Sequence, residues 1–277
     1  MDEKEIIQAA AEGAAKGFGE KIPPVYPDLL QPATKQVGKA LGTIAGVINI
    51  ALAPVAAMVW GYDKISDYLT ETLSEQLKDV PEENIISPPA SIVGPSIEAI
   101  KFLAKEEELR ELYAQLIATS INADTTDNVH PGFVEIIKNL STDDAKMLHY
   151  IYKKNALPYI ICFWKNKSRN AKLPIQYFLS SYEKDCGKHL QLGGLNSITN
   201  LERLGLIHTL KNLVLHDKAQ YENIREWHPY KALYDEPWSF EDKEIIEEEK
   251  VIRITSLGQQ FCKACISNNY VDNTEEQ

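Results

Sequence analysis

A chain of 277 residues, 44% hydrophobic and 25% charged, is long enough for two domains with cores of their own, and these proportions exclude wholesale disorder. The formal charge of −11 is uneven: residues 1–140 hold 11 basic against 21 acidic side chains, and residues 141–277 hold 18 against 19. The first half therefore repels polyanions, and four cysteines in a chain of this length argue against a disulfide framework.

The opening, Met1-Asp2-Glu3-Lys4-Glu5, is acidic where a secretory leader is basic, which gives the expectation of a cytoplasmic protein with reduced thiols. Residues 4–18 read as a helix with Ile6, Ile7, Ala10, Ala14 and Phe18 on one side, and Pro23, Pro24, Pro27 and Pro32 then break regular structure. Ala40 to Tyr62 carries no charge in 23 positions. As a helix it would reach ~30–35 Å, about the thickness of a bilayer's hydrocarbon. Gly38, Gly42 and Gly46 recur every fourth residue and bare the backbone on one face, as Ala9, Gly13 and Gly17 do in the first helix. Thr43, Asn49 and Pro54 weigh against insertion, so a buried soluble hairpin and a constitutive or triggered membrane contact both stand as readings. Gly38, Gly42, Gly46, Asn49, Pro54 and Trp60 are the candidate packing or membrane surface.

The spacing of Met58, Tyr62, Ile65, Leu69, Leu73, Leu77 and Val80 predicts an amphipathic helix, with Asp63, Lys64, Asp67, Glu71 and Glu75 on its wet side. A connector marked by Pro81, Pro88, Pro89 and Pro95 follows, then helix from Ser96 to Ile121, which Lys105-Glu106-Glu107-Glu108 either interrupts or merely solvates. His130-Pro131-Gly132 turns into a short helix ending at Lys138, and Ser141-Thr142-Asp143-Asp144 fits a capping box.

From residue 141 the pattern changes to short elements. Helix is expected over Thr142–Lys154, Pro174–Tyr182 and Leu195–Leu204, and Leu157–Trp164 suits a strand or a second buried helix. Leu201-Glu202-Arg203-Leu204-Gly205-Leu206-Ile207 ends a helix on a left-handed glycine and enters a strand directly. After an excursion, Val251-Ile252-Arg253-Ile254-Thr255 returns as a strand, and Thr255 or Ser256 caps a helix to Cys265. This order resembles the winged helix-turn-helix of many small transcription regulators. The fold expected is mainly α: a helical domain over 1–140, then a winged helix-turn-helix (α+β) domain over 141–277.

Nucleic-acid binding has arguments on both sides. The presumed recognition helix offers Asn196, Thr199, Asn200 and Arg203 with a single basic group, and the expected wing, residues 241–249, is strongly acidic. Yet between Asp144 and Glu183 no acidic residue occurs, while Lys146, Lys153, Lys154, Lys165, Lys167, Arg169 and Lys172 alternate with aromatics, a strip suited to nucleic acid or anionic lipid. Partners are therefore expected to be proteins or further copies of the chain, with a membrane next and nucleic acid less favoured.

Chemistry-bearing motifs are scarce. Cys262-Lys263-Ala264-Cys265 has the spacing of a metal pair, but a tetrahedral site needs two more ligands, from among Cys186, His189, His208 and His216, and nothing in the sequence gathers them. His130 and His149 lack an evident nucleophile, and there is no GxxxxGK[ST] loop. No enzyme site, cofactor or small-molecule substrate is expected.

One segment adds a family. Pro88-Pro89, Ile97-Glu98-Ala99-Ile100, the run Glu108-Leu109-Arg110-Glu111-Leu112-Tyr113-Ala114-Gln115-Leu116-Ile117-Ala118, then Val129 to Ile137, Leu140-Ser141 and Asp143-Asp144-Ala145 resemble the Abi-alpha (abortive infection alpha) family. The resemblance runs from Pro88 to about Leu148 and more loosely into the alanine-rich N-terminal part. It implies a bacterial setting and a part in defence against phage, and it transfers no catalytic motif.

Overall fold

The computed structural model describes residues 62–166, 171–187, 192–210, 213–235 and 243–266. Two compact units divide them, one of residues 62–139 with 260–266 and one of residues 140–259. The helices expected over 4–18 and within 40–62 lie outside the described residues, apart from the start of the next helix at Tyr62.

The first unit is helical. Helix α1 (Tyr62–Leu77) buries Ile65, Leu69, Leu73 and Leu77, every fourth residue as the spacing predicts, and leaves its charged side wet. Helix α2 (Ala90–Ile100) begins six residues earlier than expected and takes Pro95 into its interior. Proline there removes the N–H that would meet Ser91, but Ile92, Val93, Ile97 and Ile100 are fully covered, and their burial offsets that lost bond. Helix α3 (Glu107–Ile121) follows a break, so the Lys105–Glu108 cluster does interrupt. Arg110 closes that break by donating from Nη1 to the carbonyls of Leu103 and Ala104, at 2.8 Å each. Helices α1 and α2 both pack on α3, and α4 (Gly132–Lys138) packs on α2 and α3. The Tyr113 hydroxyl donates to the Val134 carbonyl at 3.3 Å.

The second unit is a winged helix. Helix α5 (Thr142–Lys154) has the expected capping box: Ser141 Oγ accepts from the Asp144 amide at 3.1 Å, and Asp144 Oδ2 accepts from the Ser141 amide at 2.9 Å. Strands β1 (Leu157–Asn166) and β2 (Ala171–Ser180) form an antiparallel pair. The second strand corrects the helix expected over Pro174–Tyr182. Ile175, Tyr177 and Phe178 favour a pleated surface, and β2 is an edge strand, where a residue without an N–H is tolerated. Pro174 sits at a register shift: Cys162 faces Tyr177 while Phe163 faces Pro174, so β2 bulges there.

The short helix α6 (Ser181–Asp185), α7 (Leu192–Arg203) and strand β3 (Ile207–Leu210) come next. Gly205 holds the left-handed φ of 73° that the exit motif requires. The excursion then forms two helices, α8 (Ala219–Arg225) and α9 (His228–Asp235). Strand β4 (Lys243–Ile254) is longer than the expected return, and it leads into α10 (Ser256–Cys265). The sheet order is β2-β1-β4-β3, all antiparallel. Thr255 caps α10, its Oγ1 accepting from the Gly258 amide at 2.9 Å and donating to the Gly205 carbonyl at 2.6 Å. One core of this unit joins Leu148, Ile151, Ile198, Leu201, Leu206 and Ile252, all buried. A second cluster lies where α8 and α9 cover the sheet: Ile160, Cys162, Leu179, Tyr221 and Ile224.

Candidate functional site

The face of α7 that a winged helix would present to a groove is largely spent on its own fold. Arg203 donates from Nε and Nη2 to Asn200 Oδ1, at 3.1 and 2.8 Å, and Asn200 Nδ2 donates to Asp144 Oδ2 on α5 at 2.8 Å. Glu202 Oε1 accepts from the Thr209 amide and hydroxyl, at 3.0 and 2.8 Å, fixing α7 to β3. The Thr199 hydroxyl bonds back to the Leu195 carbonyl at 2.8 Å, and Asn196 stands exposed. These links buttress the helix and leave a surface with one guanidinium, itself held by an amide.

The described residues of the basic strip sit on separate elements. Lys153 and Lys154 are exposed in the last turn of α5, where a positive charge suits the helix end, and Lys154 Nζ lies 5.9 Å from the centre of the Tyr150 ring. Lys165 is on β1, 3.1 Å from Glu244 of β4, and Lys172 is its register partner on β2. Lys167 and Arg169 lie outside the described residues. The part of the acidic run described, from residue 243, is the first half of β4, beside β1: Lys165 faces Glu244, Ile161 faces Glu248, Cys162 faces Glu247 and Ile160 faces Glu249. Lys165, the one basic residue of β1, is thus paired with the acidic strand beside it.

On the sheet face under α8 and α9 the charges form a network centred on Arg225. Its Nη2 binds Glu247 and lies 2.9 Å from Glu249 Oε1, and its Nη1 donates to Glu222 at 2.8 Å. Lys218 adds a second cation to Glu249. The Tyr230 hydroxyl donates to Glu247 Oε2 at 2.7 Å and lies 3.1 Å from the Tyr234 hydroxyl. Burial works to raise the Glu249 carboxyl, but the hydrogen bonds from Lys218 and Arg225 outweigh it and hold the group below the usual carboxylate range. Burial, then the bonds to Tyr234 and Glu247, push the Tyr230 phenol up, and burial with the nearby Glu247 pushes the Cys162 thiol up to about 12. The cluster sets Glu222, Glu247 and Glu249 against Arg225 and Lys218, an arrangement suited to fastening the two helices down. Sequence reasoning missed this cluster, because Arg225 is 22 and 24 positions from its carboxylates and no motif carries that spacing.

In the helical unit Cys262 and Cys265 lie buried on one side of α10, and burial raises both thiols, Cys262 to about 12. Among the described residues no group of three or more His, Cys, Asp or Glu side chains is placed to hold a metal, and His189 lies outside them. Among the described residues no helix is long and apolar enough to cross a membrane. Gly38, Gly42, Gly46, Asn49, Pro54 and Trp60 fall outside the described residues.

Comparison with known proteins gives three results. No curated protein matches the chain. A solved structure, that of an uncharacterized protein from the hydrocarbon-degrading marine bacterium Alcanivorax borkumensis SK2, is similar at 16% identity over 52% of this chain and 96% of that one, with a TM-score of 0.32. A family model described as abortive infection alpha matches residues 61–265, a span wider than the motif-bearing segment and inclusive of the winged helix.

Proposed function

Since the chain belongs to the abortive infection alpha family, we propose that it is a phage-defence protein that works through surfaces and helices, without making or breaking bonds. In this reading the winged helix is a sensor or docking module for a protein partner, and the Gly/Ala-rich N-terminal helices act on a membrane or on one another. The observation that carries it is the exposed face of α7, which has one guanidinium, itself held by Asn200, where phosphate contacts need several cations. Replacing Gly38, Gly42 and Gly46 together with leucine tests the effector half of the reading. Toxicity on expression and recovery in the membrane pellet should both fall, and if neither changes the N-terminal packing surface is not the effector.

The exposed Lys153 and Lys154 favour a second reading, a DNA-binding regulator that adds phosphate contacts from α5 to those of Asn196, Thr199, Asn200 and Arg203. A gel shift with duplex DNA at low and moderate salt separates the two. Absence of salt-dependent binding supports the docking role, and a steep loss of affinity with added salt supports the regulator.

A further inference from the structure

Helix α1 packs on α3, and Tyr68 of α1 lies near Glu111 of α3 and is bonded to Thr72; Gln76 of α1 and Gln115 of α3 are likewise half-buried. Two oxygens on these helices, Gln76 Oε1 and Gln115 Oε1, are buried with no hydrogen-bond partner. A buried acceptor without a donor is costly, by roughly 1–3 kcal/mol. Glu111 stands four residues before Gln115, one turn away on the same face of α3. As a carboxylate it can only accept, whereas as a carboxylic acid it carries one O–H donor.

The surroundings of Glu111 favour the acid. Burial acts first, and Glu107 and Glu108, one turn before it, add like charge, which together push the carboxyl up to about 7. Arg110, the cation next in sequence, offsets this only in part, because its guanidinium caps the Leu103 and Ala104 carbonyls and lies over the Tyr68 ring at 5.3 Å. From α1 the facing titratable group is the Tyr68 phenol, which burial and the charge of Glu111 raise to about 12, so it stays neutral.

We propose that Glu111 is a proton-binding site of the helical unit: with a proton taken from solvent, its hydroxyl donates to Oε1 of Gln115, one turn on along α3, and satisfies that buried acceptor. The raised carboxyl sets the sign. Above pH 7 the ionised group opposes folding, and stability is gained as pH falls through 7 toward the unfolded value near 4.5. Urea unfolding of the full chain at several pH values, wild type against Glu111→Gln, tests this directly. Between pH 8.5 and 6 the wild-type unfolding constant should fall relative to the variant's by about tenfold in all, most of it below pH 7. At pH 8.5 the variant, which supplies a permanent amide donor, should be at least as stable as wild type. Equal pH slopes, or a less stable variant at pH 8.5, overturn the proposal. A carbon-detected titration of the Glu111 carboxyl needs no glutamine variant: a midpoint near 7 that drops in Gln115→Ala supports it. A midpoint among ordinary glutamates, or one indifferent to Gln115, ends it.

Discussion

Replacing Gly258 with alanine places a single methyl group where two backbones meet. Gly258 is the third residue of α10, and a Cβ built there lies 2.0 Å from the Leu206 carbonyl oxygen, 2.9 Å from the Leu206 carbonyl carbon and 2.7 Å from Cγ2 of Ile254. Carbon contacts settle at ~3.5–4.0 Å, so a shift of more than an ångström is needed. The carbonyl is not free to give way, since it accepts from the Thr255 amide at 3.0 Å and from the Thr255 hydroxyl at 3.2 Å. Overpacking of this kind costs about 1–3 kcal/mol or more, and the disturbed bonds add about 1 kcal/mol each. The gain in helix propensity returns about 1 kcal/mol, leaving a net loss of about 3 kcal/mol. Equilibrium urea unfolding, followed by circular dichroism, measures it. Gly94→Ala is the control, because nothing lies within 4 Å of its added methyl inside α2, and it should stabilise by about 0.5–1 kcal/mol. A Gly258→Ala protein as stable as wild type, or one no worse than Gly94→Ala, would refute the close approach of α10 to the end of α7.

Two further substitutions probe the second unit. Arg225→Met strips the shared cation from Glu247 and Glu249, whose side chains are 26% and 18% exposed, and should cost about 2 kcal/mol at pH 7 by chemical denaturation. Because the Glu249 carboxyl is depressed in the folded protein, its contribution is whole above about pH 4.5 and is lost as pH falls through its folded value, so the gap between variant and wild type should close in acid. Ser141→Ala removes half of the α5 capping box and should lower stability by about 1 kcal/mol, measured the same way, while Ser141→Asp should restore most of it.

Legibility in the sequence followed the range of the interaction. The capping box of Ser141 and Asp144, the left-handed Gly205 and the fourfold spacing of Ile65, Leu69, Leu73 and Leu77 are decided within a turn or two of chain, and the structure reproduces each. Partnership at a distance stayed hidden. Pro174 argued for the start of a helix because local rules cannot see that β2 lies on a sheet edge. The acidic run read as a solvated wing because nothing near it says that Lys165, Arg225 and Lys218 arrive from elsewhere. Each lysine of the strip was legible, and the strand that pairs with Lys165 was not.

The last helix carries a consequence for how the protein is made. In the helical unit Phe261 packs edge-on to Phe133, ring centres 5.5 Å apart, and the Thr119 hydroxyl donates to the Ala264 carbonyl at 2.9 Å. In the other unit β1 waits for β4, Tyr159 meeting Lys250. A ribosome adding ~5–20 residues each second leaves that strand without its neighbour for several seconds. Neither unit is whole until residues 243–266 have left the exit tunnel, so a nascent chain stalled before residue 256 exposes apolar side chains of both to chaperones and proteases.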